Sequence, residues 1–179
     1  MTGIIVSVCE LLVTIAMAVL VVYMTLRALI RTNTDFDEDK AILHGNVSVG
    51  ILVAALLLAS ANIMHQAFRP VADTVHTVLT SPLVEAHQQW KLVFYSLGNL
   101  VLAFLIVVAT LSFSLRLFGR LSRTKDTRPG KELEKGNVAI GVLLSSVVLI
   151  VSLFVGEGVK ALSKALIPKP SIGSMQIMR

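Results

Sequence analysis

Three ionisable side chains sit inside otherwise apolar stretches of the chain: Glu10, His65 and Glu157. Carboxylates and imidazole pass protons near neutral pH, and an ionisable group in a membrane is costly unless it faces protein or water. A proton or cation relay is the chemistry these types permit. Two amides, Asn62 and Asn99, fall at matching depths, Asn62 being one turn from His65 on the same helical face. The five residues form one candidate polar layer. The competing structural reading makes them interfacial groups that hydrogen-bond across a bundle or reach headgroup water. In that reading Glu157 pairs with Lys160 three residues on, worth only about 0.2–0.5 kcal/mol.

No other set of residues carries a reaction. His76, Glu85 and His87 lack the spacing of a zinc motif, and no serine stands in a strained Gly-rich turn that would make it a nucleophile. Cys9, the single cysteine, rules out an intramolecular disulfide and reads as a small buried hydrophobe. The sequence therefore predicts no enzyme, no metal site and no cofactor.

The elements that must position the polar layer follow from composition. Of 179 residues, 55% are hydrophobic and 15% charged, with a mean hydropathy of +0.80, against roughly 25% charged in a soluble domain. The apolar residues fall into four blocks, Ile4 to Ile30, Val47 to Met64, Leu92 to Phe118 and Val138 to Val155. The helical span of a membrane needs about 20 apolar residues, so the expected fold is an all-α integral membrane bundle of four transmembrane helices. The first block has no basic start and outruns a signal-peptide core, so it reads as a permanent helix.

Counting into these spans gives the layer its level. Glu10 lies about six residues, or ~9 Å, inside the first helix, whereas His65 and Glu157 lie 18 and 19 residues beyond the starts of the second and fourth blocks. On helix one Glu10, Thr14, Ala18 and Thr25 share a face. Their counterparts on helix three are Asn99, Ala103, Val107 and Ser114.

Positive charge near a span is retained on the cytoplasmic side. The first and third breaks hold ten of the 16 Lys and Arg residues, which puts loops 31–45 and 119–136 in the cytoplasm and both termini outside. The net charge of +5 then faces anionic lipid, with no nucleic-acid partner expected. Thr34 with Asp35 and Asp37, and Ser81-Pro82 with Glu85, are expected to cap the starts of helices two and three. Segment 69–81 reads as an outer connecting loop or a short amphipathic turn pair, and 165–179 as a flexible tail. Trp90 and Tyr95 read as interfacial anchors.

The chain also repeats itself. Gly45-Asn46-Val47-Ser48-Val49-Gly50 matches Gly136-Asn137-Val138-Ala139-Ile140-Gly141, and Arg27 and Arg31 fall on Arg116 and Arg120. This predicts two tandem helical hairpins, 1–68 and 82–164, related by a pseudo-twofold axis along the membrane normal. Asn46, Gly50 and Ala54, and Asn137, Gly141 and Ser145, recur at steps of four and are expected to be packing faces.

Paired hairpins with a charged loop before a Gly-Asn-x-(Ser/Ala)-x-Gly helix start resemble the YjfL-type family of small bacterial inner-membrane proteins, the domain-of-unknown-function family numbered three hundred and fifty. The resemblance covers residues 4 to 164 and implies an architecture and a bacterial inner membrane, with no activity or site to carry over. The expected function is a non-enzymatic membrane component that forms a homo-oligomer or docks to another membrane protein, surrounded by membrane lipids. The alternative is a subunit of a proton or cation conduit built on the polar layer.

Overall fold

A computed structural model describes residues 2–27, 38–80, 86–121 and 129–167. Among these the elements are α1 (Thr2–Thr25), α2 (Glu38–Leu43), α3 (Val47–Thr80), α4 (Ala86–Leu121), α5 (Pro129–Glu134) and α6 (Val138–Leu166). Three helices contain stretches long and apolar enough to cross a membrane: Val47–Thr74, Phe94–Leu117 and Val138–Leu166. The described apolar part of α1, Leu11–Thr25, is shorter.

The core lies where α3, α4 and α6 meet. Val49, Leu52, Leu56 and Ile63 of α3 pack with Ala103, Val107 and Leu111 of α4 and with Leu144, Val148 and Val159 of α6. Helices α3 and α6 make the closest pairing and run in the same direction. The Ser48 hydroxyl donates to the Asn137 carbonyl (2.8 Å), and further along Asn62 Nδ2 donates to the Ser152 carbonyl (3.0 Å). Helix α1 lies against α3 and, among its described side chains, buries Val21 and Thr25.

Two expectations about α3 are corrected. Residues 69–80 are helical and not a plain loop, since α3 continues as one helix through Pro70 to Thr80. Proline removes a backbone donor and normally breaks a helix, but here Ile63, Ala67, Pro70 and Val71 are all buried and form one stripe. Burial of that stripe outweighs the lost bond, and Thr74 Oγ1 donates back to the Pro70 carbonyl (2.8 Å).

The packing face of α3 also differs from the one expected. Gly50 has open space where a Cβ would be, and Ala54 is exposed. The buried face runs instead through Ser48, Leu52, Ala55, Ala59 and Ile63. On α6 the expected Gly141 and Ser145 are both buried.

Helix two was expected to begin before its apolar core. The chain instead forms the separate short helix α2, turns at His44–Asn46, and restarts at Val47. The expected caps at Thr34, Asp35 and Asp37, and at Ser81, Pro82 and Glu85, lie outside the described residues. So does the tail beyond Ile167, although Ala165 and Leu166 complete α6.

Candidate functional site

The repeated Gly-Asn pair builds the same turn twice. After α2, Gly45 takes φ +78°, its N–H donates to the Ile42 carbonyl (2.9 Å), and the Asn46 N–H donates to the Ala41 carbonyl (2.9 Å). After α5, Gly136 takes φ +83°, with Gly136 N–H to Leu133 carbonyl (2.9 Å) and Asn137 N–H to Glu132 carbonyl (3.0 Å). This double bond around a left-handed glycine is the Schellman end of a helix. Each asparagine then caps the following helix: Asn46 Oδ1 accepts from Val49 N–H (3.2 Å) and Asn137 Oδ1 from Ile140 N–H (3.4 Å).

The two asparagines part company at their amide nitrogens. Asn46 Nδ2 crosses to the other turn, donating to the Leu133 (2.9 Å) and Glu134 (3.0 Å) carbonyls. Asn137 Nδ2 stays local, on the Glu132 carboxylate (3.4 Å). Glu132 also accepts from Lys135 Nζ (2.8 Å). The Lys135 bond, followed by that from Asn137, holds the Glu132 carboxyl below its ordinary pKa.

From this end the α3–α6 seam continues as a line of small and polar residues. Gly141 meets the Ser48 backbone, and Gly156 faces the side chains of Asn62 and Gln66. Ser145, Ser152 and Ser163 are buried along α6. Ser152 Oγ donates to the Leu149 carbonyl (2.8 Å), whereas Gln66 Oε1, Ser145 Oγ and Ser163 Oγ are buried with no hydrogen-bond partner among the described residues. Gly156, Gln66 and Ser152 were absent from the sequence-derived set. Their signal was legible in α6, where small residues at 145, 152, 156 and 163 recur at sevens and fours.

The described side chains of the candidate polar layer are distributed over separate surfaces. Asn62 lies in the α3–α6 seam, bonded to Ser152. His65 is exposed and lines a cavity of about 240 Å³ with Thr14, Ala18, Val21, Met64 and Phe68, between α1 and α3. Asn99 is buried, 4% exposed, and lines a second cavity of about 440 Å³ with Lys91, Tyr95, Gly98 and Leu166. Glu157 is exposed on α6, 3.8 Å from Lys160. The backbone of Glu10 lies in α1, one turn before Thr14, and its side chain is outside the described residues.

The stripe matched to it on α4 is buried throughout, at Asn99, Ala103, Val107 and Ser114. The side chains of Cys9, Glu85, His87 and Trp90 are outside the described residues. Among the described residues no three His, Cys, Asp or Glu side chains gather as a metal site.

No curated protein and no solved structure matches the chain. The family model described as Domain of Unknown Function (DUF350) matches residues 1–159, nearly the whole of the helical region. It covers both Gly-Asn turns, the α3–α6 seam as far as Val159 and all five residues of the candidate polar layer. The chain belongs to the DUF350 family.

Proposed function

We propose that the chain is a non-enzymatic integral protein of a bacterial inner membrane, which oligomerises or docks a partner membrane protein within a larger assembly. In this reading four spans form two tandem hairpins about a pseudo-twofold axis, with loops 31–45 and 119–136 cytoplasmic and both termini outside. The twice-built helix–Gly–Asn turn and the parallel course of α3 and α6 support that arrangement. The open space at Gly50 against the close contact at Gly141 makes the symmetry approximate.

One observation carries the functional reading: the described polar groups diverge. Asn62 is engaged in the seam, His65 and Asn99 line different cavities, and Glu157 is exposed beside Lys160. A relay needs its groups within hydrogen-bond reach or one water apart. A chain whose Asn46, Ser48 and Asn62 side chains bridge its own elements is better suited to holding shape in an assembly. Proton and monovalent-cation flux into liposomes carrying the purified protein tests this. Flux no greater than in empty liposomes is expected, whereas a flux abolished by Glu10→Ala or Glu157→Ala favours the conduit and contradicts the reading.

A further inference from the structure

The cavity beside Asn99 combines three properties. It sits at one end of the bundle, because Lys91 precedes the Phe94–Leu117 span and Leu166 closes the Val138–Leu166 span. Along α4 its wall is graded from charged to apolar: Lys91 at the start, then Phe94 and Tyr95, then Gly98 and Asn99, then Leu102. Its volume of about 440 Å³ falls within the roughly 300–1,000 Å³ of small-molecule sites.

Asn99 supplies the pointer to a ligand. The residue is 4% exposed, and its Nδ2 has no acceptor among the described residues. An unpaired amide away from water costs about 1–3 kcal/mol, and in hydrocarbon no solvent can relieve it. An acceptor delivered through the cavity would.

We propose that this cavity binds an anionic phospholipid, whose phosphate is held by Lys91 and Tyr95, whose ester carbonyl accepts from Asn99, and whose acyl chain lies over Gly98 and Leu102. Asn99 is eight residues below Lys91, or ~12 Å along the helix, with Tyr95 one turn above Asn99, so ammonium, phenol and amide descend the wall in that order. Charge favours a lipid over a second copy of this chain, because a symmetric contact here would set Lys91 against its own equivalent. The site is independent of whether the chain oligomerises.

Native mass spectrometry of the full chain released from micelles containing phosphatidylglycerol or phosphatidylcholine tests the site. The protein should retain phosphatidylglycerol at least fivefold more than phosphatidylcholine. Gly98→Leu projects into open space, since no atom lies within 4 Å of the Gly98 Cβ position, so it should fill the cavity and abolish retention of both lipids while the protein still folds. Lys91→Gln should lower the preference at least threefold, with Lys164→Gln, an exposed lysine at the same end, as the charge control that leaves it intact. Equal retention of the two lipids, unchanged retention in Gly98→Leu, or competition by inorganic phosphate would each overturn the proposal. So would a change of subunit number in Gly98→Leu without loss of lipid.

Discussion

A Cβ on Gly141 would stand 2.7 Å from both the carbonyl oxygen and the hydroxyl of Ser48, so α3 and α6 meet backbone to backbone at that point. Small residues allow such approach between helices in a bilayer, where the hydrophobic effect no longer drives association. The matching position in the first turn, Gly50, has nothing within 4 Å.

These environments predict opposite outcomes for one substitution. Gly141→Ala meets backbone and should destabilise by about 1–3 kcal/mol through overpacking. Gly50→Ala should gain about 0.5–1 kcal/mol, the usual benefit of replacing glycine inside a helix. Unfolding in mixed micelles of rising denaturing-detergent content measures both, and equal effects at the two positions would contradict the asymmetry.

The two asparagines of the repeat should likewise be unequal. Asn46→Ala removes a helix cap together with two bonds to the carbonyls that end α5. Asn137→Ala removes a cap and one long bond to the Glu132 carboxylate. Capping alone is worth about 1 kcal/mol and each further neutral bond about 0.5–1.5 kcal/mol. The loss at Asn46 should be roughly twice that at Asn137, read from the same unfolding curves.

Much of this was legible in the residues because the signals are local. Block length and hydropathy located the long helices, and the Gly-Asn pairs marked both helix starts. The α4 stripe Asn99, Ala103, Val107, Ser114 was readable from its spacing. The buried face of α3 was not, because in a membrane helix the lipid side is as apolar as the packed side, so hydropathy does not separate Leu52 from Leu58. Pro70 misled for a different reason: its effect on the backbone is local, whereas the burial of Ala67 and Val71 that offsets it is tertiary. Helices α2 and α5, six residues each, are too short to show a period. The scatter of the polar layer was beyond reach, since counting residues gives depth and not direction.

The Glu132 carboxyl gives a pH-dependent signature outside the spans. Its folded pKa lies below the ordinary 4.5, so its contribution is fully present above that value and is lost as pH falls through the lowered one. The group is partly exposed and its partner Lys135 is exposed, so solvent screens the pair and the effect is small. Glu132→Gln should lower the melting temperature at pH 7, and the difference from the unaltered protein should close as pH falls through the lowered pKa. A difference that persists unchanged in acid would show that the carboxylate does not brace this turn.

The central claim is that the chain works as part of an assembly and not as an isolated membrane protein. Extraction directly from the membrane into lipid nanodiscs, followed by mass measurement of the intact particle, addresses it without detergent stripping. The account predicts at least two polypeptides per particle in fixed ratio, either copies of this chain or this chain with one other membrane protein. A particle holding a single copy and nothing else, at every protein-to-lipid ratio, would contradict it.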